Sequence, residues 1–400
     1  MKVLIVNAGS TSYKYQLYDP DSKEFLINGR VERIGSTRSA FVHDGPDNRQ
    51  VKKTLEIPNH KAAIELSLQY LLDGQYGLLG SLEELDGVGF KAVHAGEITG
   101  PVLINEALIE KMQSYDQLVP IHNPPYIEAM RMFRDALPQI PLVGVFETWF
   151  HETMPDYART YSIPWQWTQE WGIKKYGFHG SSHRYISERV SSYWCQGQSD
   201  LKLISCHLGG SSSLCAVQDG KSIDTSMGMS AQCGLPMSSR VGDLDPFVPL
   251  YVMSQGRLNL EQVQYQLANQ GGLAGISGLS GDMRDLEEAA AEGNYRAALA
   301  LNVFQYQLKL YLGAYAAALN GLDVIAFTGG IGENSSRLRW EVLSQLSYLG
   351  IKLDPERNRL VGQEAVISAD DSMVRVLVIP ANEAEIVGRE TARVIRDRKG

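Results

Sequence analysis

Along this chain, short apolar runs alternate with longer stretches in which apolar residues recur every three or four positions. The short runs fall at 3–6, 15–18, 88–94, 141–146, 202–207, 214–218, 323–328 and 374–379 and predict strands. The longer stretches at 59–73, 104–114, 124–136, 183–194, 260–269, 295–320, 335–348 and 383–397 predict helices. Strands open each half and helices follow, an α/β layer pattern. The run Tyr295–Asn320 is mostly apolar, but Arg296, Gln305, Gln307 and Lys309 interrupt it, so it predicts a helix buried between layers. The last helix follows the run Val376–Glu383. The layout lets it return onto the N-terminal half and carry Glu383 to a cleft.

Two of the strands run into the same kind of turn. Lys2–Lys14 passes from an apolar strand into Asn7-Ala8-Gly9-Ser10-Thr11-Ser12, and Lys202–Ser213 passes into His207-Leu208-Gly209-Gly210-Ser211-Ser212-Ser213. Glycine lets a backbone approach an anion closely, while hydroxyls and free N–H groups donate to it. A facing pair of such turns would hold a polyphosphate, which points to a two-domain nucleotide enzyme. The spacing is not that of a P-loop. A surface hairpin explains Gly9 and Ser10 but not Asn7 at the strand end or Lys14 beyond the hydroxyls.

Composition narrows the class. Four hundred residues, 44% hydrophobic and 21% charged, fit a soluble globular protein of two or three domains with no flexible linker. A net charge of −9 argues against a nucleic-acid surface, which needs clustered Lys and Arg. No stretch reaches the roughly 20 apolar residues of a membrane span. The run Val3–Val6 is far too short for a signal peptide. The four cysteines (Cys195, Cys206, Cys215, Cys233) have no CxxC spacing and read as buried thiols. These features predict a cytoplasmic protein.

Further candidates each have a plain alternative. Thr328–Ser335 is a third glycine turn between a strand and a helix, where a base or sugar can approach the backbone; such turns are also common connectors. His179 and His183 have zinc spacing, but Gly180 starts a helix after His179, so hydrogen bonding from His179 to a phosphoryl oxygen is the better reading. Arg240 is either a phosphoryl-binding cation or a loop arginine paired with Asp243 or Asp245. Ser280–Asp285 is a helix cap in its simplest reading.

Together these residues resemble the acetate kinase family, within the sugar-kinase, chaperone-ATPase and actin superfamily. The match runs nearly end to end, through Asn7–Lys14, Val93–Glu97, His122–Pro125, Phe150–Pro155, Lys175–His183, His207–Ser213, Asp224–Gly228, Ser277–Asp285, Phe327–Ser335 and Pro380–Glu383. The resemblance implies transfer of the ATP γ-phosphoryl group to acetate, giving acetyl phosphate and ADP. It implies a duplicated actin-like (ribonuclease H-like) α/β fold with an interdomain active-site cleft. One domain would comprise residues 1–149 plus 383–400 and the other 150–382. By the same resemblance, Asn7 and Glu383 hold Mg²⁺, while Ser10, Ser12 and Lys14 meet the phosphates. His207, Leu208, Gly209, Gly210, Ser211 and Ser212 line the phosphate track. Asp282, Met283 and Arg284, with Gly330, Ile331, Gly332, Glu333 and Asn334, hold the adenosine. His179 and Arg240 stabilise the phosphoryl group in flight, and a homodimer is implied, with no nucleic-acid or membrane partner.

Several departures fall at the chemistry. The family has His-Arg where this chain has Phe90-Lys91, and Asp where it has Glu147, both residues of the catalytic site. The track Leu-Gly-Asn-Gly becomes Leu208-Gly209-Gly210-Ser211, and a substrate-pocket proline becomes Ala231. Lysine supplies charge without a bidentate fork, so a coupled swap is expected in which Glu147 extends to meet the shorter Lys91. The acyl pocket would be Val93, Ile121, Phe178 and Ala231, with Lys91 beside it. The room left by Ala231 makes propionate or butyrate alternative acceptors. The departures also fit a nucleotide-binding paralogue weakened in catalysis and regulatory in role.

Overall fold

The computed structural model describes residues 1–120, 122–194 and 200–399. The chain divides into two compact units, Met1–Trp149 with Asn382–Gly400, and Phe150–Ala381. In the first unit the strands are β1 (Val3–Ala8), β2 (Ser12–Asp19), β3 (Glu24–Glu32), β4 (Ser39–Asp44), β5 (Gln50–Leu55), β6 (Gly87–Ala92), β7 (Pro101–Leu103) and β8 (Leu142–Phe146). They form one sheet in the order β5-β4-β3-β2-β1-β6-β8-β7. In the second unit β9 (Lys202–Leu208), β10 (Ser212–Gln218), β11 (Lys221–Thr225), β12 (Val324–Thr328), β13 (Ala365–Val366) and β14 (Arg375–Val378) form the order β11-β10-β9-β12-β14-β13.

Set β4 and β5 aside and the two orders are the same. In each, the first strand pairs antiparallel with the second and parallel with a later one, β6 or β12. That strand pairs parallel with β8 or β14, and a short antiparallel strand closes the edge. The fold is α/β and duplicated, of the actin-like, ribonuclease H-like kind.

In the first unit the helix Glu383–Lys399 lies on the sheet. Its Val387, Ala392 and Ile395 share a core with Val3, Ile5, Tyr18, Val143 and Val145. The approach is close: a Cβ on Gly89 would stand 2.2 Å from Thr391 Oγ1. Side chains alternate across a strand, so the next residue, Phe90, faces the other side. There it meets Phe133 of the helix Asn123–Ala136 edge-on, with centroids 5.6 Å apart. In the second unit the helix Tyr295–Ala318 buries Phe304, Leu308 and Leu312 with Ile204, Leu214, Ile325 and Phe327. The helix Gly180–Trp194 covers Leu203, Cys215, Val324 and Ala326 with Ile186 and Val190.

The pattern-based elements stand where expected in the interior and fail at the margins. The helix Leu260–Asn269 has the expected limits. The apolar run from Tyr295 is a helix, Tyr295–Ala318, but it is not buried between layers: one face packs on the sheet, while Tyr295, Leu299, Tyr306 and Leu310 on the other are exposed. β3, β4 and β5 carried no clear apolar run. In β5, of Gln50–Leu55 only Val51 is buried, since an outer strand with a solvated face needs few apolar residues; β4 is largely buried, but its apolar run is only Ala40-Phe41-Val42. The helix Phe247–Ser254 is apolar without a period and has no buried residue, so periodicity had nothing to register. Cys206 and Cys215 are buried and Cys233 is half-buried, all as free thiols, while Cys195 lies outside the described residues. Among the described residues, no helix is long and apolar enough to cross a membrane.

Candidate active site

The two glycine turns are built alike. Between β1 and β2 the Gly9 N–H donates to the Ser12 carbonyl at 2.8 Å, and Asn7 stands opposite Lys14 in the ladder. His60 Nε2 donates to the Gly9 carbonyl at 2.7 Å. Ser10 and Lys14 are exposed there, and Ser12 is half-buried. Between β9 and β10 the Gly209 N–H donates to Ser212 Oγ at 3.2 Å, and that hydroxyl donates to the Gly209 carbonyl at 3.0 Å. Ser212 thus braces its turn. The third turn packs on this second one: Gly329 takes φ +77°, and a Cβ there would stand 2.6 Å from the Leu208 carbonyl oxygen. Only glycine permits that backbone-to-backbone approach.

Where these two turns meet, the second unit has a groove of about 560 Å³. Of the residues expected at the nucleotide, Gly209, Gly210, Asp282, Met283, Arg284, Gly330, Ile331 and Asn334 line it. Ser238, Gly281, Glu287 and Ser335 line it too and were not expected. Ser238 joins two of its walls, donating from its N–H to the Gly210 carbonyl at 3.0 Å and from its hydroxyl to the Gly281 carbonyl at 2.8 Å. Asp282 caps the helix Met283–Ala291 and pairs with the exposed Arg284 at 2.7 Å. Leu208 and Gly332 are buried beneath. Glu333 braces the third turn, its Oε1 accepting from the N–H groups of Gly329 (2.9 Å) and Ala381 (3.0 Å).

His179 sits at the start of the helix Gly180–Trp194 with φ +59°, a conformation that costs a non-glycine residue energy and is held by its surroundings. Its Nδ1 lies 2.8 Å from Ser213 Oγ and its Nε2 lies 3.1 Å from Ser211 Oγ. The ring packs at a tilt of 35° against His207 with centroids 4.3 Å apart, and His207 Nδ1 is 2.7 Å from Ser182 Oγ. His183 turns its Nε2 to the same Ser213 hydroxyl.

Arg240 is 8% exposed and donates to the Ala231 carbonyl at 2.7 Å. Burial draws its guanidinium down to about 10. It forms no salt bridge among the described residues. Asp243 is engaged elsewhere, accepting from the Gly234 N–H (2.8 Å) and the Tyr311 hydroxyl (2.5 Å). A buried cation without a counter-ion is costly unless an anion joins it.

In the first unit, Lys91 of β6 reaches two carboxylates, contacting Glu383 Oε2 and standing 3.5 Å from Glu147 Oε2. Burial pulls the ammonium down, but Glu147 and Glu383 outweigh it and hold Lys91 well above the ordinary lysine range. Glu147 thus meets Lys91, as the coupled swap expects, and Glu383, which was not expected to pair with it, lies nearer still. Tyr126 completes the cluster, its hydroxyl donating to Asn7 Oδ1 at 2.8 Å, and burial, with Glu147 and Glu383 nearby, raises its phenol. Tyr126 follows the Asn123-Pro124-Pro125 motif directly, a signal that sequence reasoning passed over. An amide oxygen and two carboxylates are hard donors. With one ammonium they leave one formal negative charge, a set that suits Mg²⁺ arriving with nucleotide phosphates.

The acyl-pocket residues are spread over both units. Val93 is buried in the first, beside His94, which Asn123 ties down through its amide donating to the His94 carbonyl at 3.0 Å. Phe178 and Ala231 are buried in the second. Ile121 lies outside the described residues.

Comparison with known proteins adds three findings. The Acetokinase family matches residues 2–389. The chain is 45% identical to the acetate kinase of Desulfitobacterium hafniense (strain DSM 10664 / DCB-2) over 99% of its own length and 100% of that protein's. It is 44% identical to the acetate kinase of Thermoanaerobacter pseudethanolicus, covering 100% of each. Among solved structures, Porphyromonas gingivalis acetate kinase superimposes with a TM-score of 0.88 at 37% identity, covering 98% of this chain and 99% of that one. A propionate kinase from Francisella tularensis superimposes with a TM-score of 0.90 at 35% identity, with the same coverage.

Proposed function

The chain belongs to the acetokinase family, and from that premise we propose that it transfers the γ-phosphoryl group of ATP reversibly to acetate, giving acetyl phosphate and ADP. The observation that carries this reading is Arg240, a nearly buried guanidinium with no carboxylate partner among the described residues, two residues from Ser238 of the glycine-lined groove. Such a cation is arranged for an anion that arrives with the nucleotide. Phosphoryl transfer needs little covalent work from the protein, so positioning and charge neutralisation dominate. Acetate is ionised at pH 7 and needs no general base.

In this reading the groove takes the nucleoside, and Gly209, Gly210 and Ser211 follow its phosphates. Arg240 and His179 donate to the phosphoryl group. Ser10, Ser12 and Lys14 of the first unit meet the phosphates, and Val93, Phe178 and Ala231 contact the acyl group. Asn7 and Glu383 would hold Mg²⁺, which neutralises phosphate charge when bound. Lys91 holds Glu383 and Glu147 in place through its ammonium. We place the protein in the cytoplasm. We also place a homodimer contact on the helix Phe247–Ser254, where Phe247, Leu250 and Tyr251 are exposed together, an apolar surface of the kind that marks interfaces.

The test supplies the purified protein with ATP, Mg²⁺ and each straight-chain acid from formate to valerate, trapping acyl phosphate with hydroxylamine. Acetate is expected to give the highest kcat/KM. A preference for propionate, which the open side left by Ala231 and the propionate-kinase neighbour favour, would keep the chemistry and change the substrate. A methylene is worth only about 1–3 kcal/mol in such a pocket. No acyl phosphate from any acid would remove the enzymatic reading and leave the nucleotide-binding paralogue.

A further inference from the structure

The hydrogen-bond accounting behind His179 fixes which of its nitrogens carries the proton. Ser205 of β9 is fully buried, and among the described residues its hydroxyl has one hydrogen-bond partner, His183 Nδ1 at 2.9 Å. If Ser205 accepted from that nitrogen, its own proton would be buried without an acceptor, at a cost of about 1–3 kcal/mol. Ser205 therefore donates, and Nδ1 of His183 is the bare nitrogen. His183 is fully buried, and burial, with His151 and His207 nearby, holds it neutral, well below the ordinary histidine value. A neutral imidazole carries one proton, so the proton of His183 sits on Nε2 and is donated to Ser213 Oγ at 2.8 Å.

Ser213 is also fully buried, and among the described residues its hydroxyl has His183 Nε2 and His179 Nδ1 as its hydrogen-bond partners. Having accepted from the first, it must donate to the second, 2.8 Å away. The proton of His179 is thereby placed on Nε2, directed at Ser211 Oγ. The far end agrees: Ser211 directs its own hydroxyl proton to Met237 Sδ at 3.8 Å, which leaves its oxygen to accept from His179. Each link runs one way.

We propose that Ser205, His183 and Ser213 form a buried one-way relay that locks the His179 imidazole in its Nε2–H form. They are positioning residues that make His179 a neutral donor toward Ser211 and the transferring phosphoryl group. The opposite tautomer would present a lone pair to phosphoryl oxygens and repel them. The proposal rests on the phosphoryl-transfer reading for its consequence but not for the proton position, so the two can fail separately.

The test is nitrogen-15 NMR of the imidazoles in the full-length protein at pH 7.5, with the His179 signals assigned by His179→Gln. The expected spectrum shows a protonated Nε2 and a bare Nδ1. Ser213→Ala should convert His179 to a mixture of tautomers and lower kcat by roughly 10–100-fold, the range for lost orienting partners of histidine, with the KM for ATP nearly unchanged. Ser213→Thr, which keeps the hydroxyl, should restore both tautomer and kcat, and Ser205→Ala should shift the tautomer in a second, independent place. A bare Nε2 in the wild-type protein would overturn the proposal, as would an unchanged tautomer in a folded Ser213→Ala variant. The expected tautomer in a protein that makes no acyl phosphate would keep the relay and reject the phosphoryl-transfer reading.

Discussion

At the scale of single residues, the account turns on charges taken out of water and given specific partners. Lys91 stands between two carboxylates, so removing its ammonium takes a counter-charge away from the buried Glu147 and the half-buried Glu383. Lys91→Met should destabilise the protein by about 3 kcal/mol in urea unfolding, and adding Glu147→Gln should recover part of that loss. Lys91→Arg and Glu147→Asp should couple by more than about 0.5 kcal/mol in a double-mutant cycle, since the two groups are in contact; additive effects would reject the pairing. Lys91 and Glu147 were legible in the sequence as charged residues that depart from the family pattern, and Arg240 as a cation in a glycine- and serine-rich loop. The tie from Lys91 to Glu383 was not, because the two lie 292 positions apart and only the returning helix joins them. Ser205 and Ser213 were illegible for another reason. A serine in a strand carries no mark of function until the proton on its hydroxyl is accounted for.

At the scale of elements, the close approach of the last helix to the sheet gives a sharp steric test. Gly89→Val would place side-chain atoms against Thr391 and should lower the unfolding midpoint with an unchanged slope in denaturant, a change in stability alone. His183, in the first turn of the helix Gly180–Trp194, and His151, packed against its ring, give a pH test. His151 is held at about 4 and His183 well below its ordinary 6.5, in each case mainly by burial. Both are neutral in the folded chain while the unfolded chain takes up protons below about 6.5. Their contribution is therefore complete above that pH and declines as pH falls toward 4, by up to about 1.4 kcal/mol per pH unit for each group. Urea unfolding at pH 7, 6 and 5 should show this decline, and a flat profile would contradict it. Interior strands and their turns could be read from the chain because burial on both faces demands continuous apolar runs. The outer strands β3 and β5 could not, because exposed positions dilute the pattern, and in the largely buried β4 the apolar run is only Ala40-Phe41-Val42.

At the scale of the whole molecule, the internal repeat first visible as two Gly/Ser turns is a repeat of topology, with the same strand order in both sheets. It assigns the halves unequal work: the second holds the groove, His179 and Arg240, and the first holds Asn7, Lys14 and the Lys91 cluster. Association is a property of this scale too. Tyr251→Asp, in the exposed apolar helix, should convert a dimer into a folded monomer in sedimentation velocity, and an unchanged dimer would move the interface elsewhere. The central claim is that Arg240 is kept buried and unpaired for a phosphoryl group. Its most direct measurement compares the wild-type protein with Arg240→Ala for ATP-dependent formation of acetyl phosphate, with ATP affinity measured in parallel by calorimetry. The account predicts acetyl phosphate and ADP in equal amounts from the wild type, and a loss of at least about 100-fold in kcat for the variant, as for removal of a donor to transition-state charge, with nearly unchanged ATP affinity. Equal rates in the two proteins, or no acetyl phosphate from the wild type despite ATP binding, would contradict it.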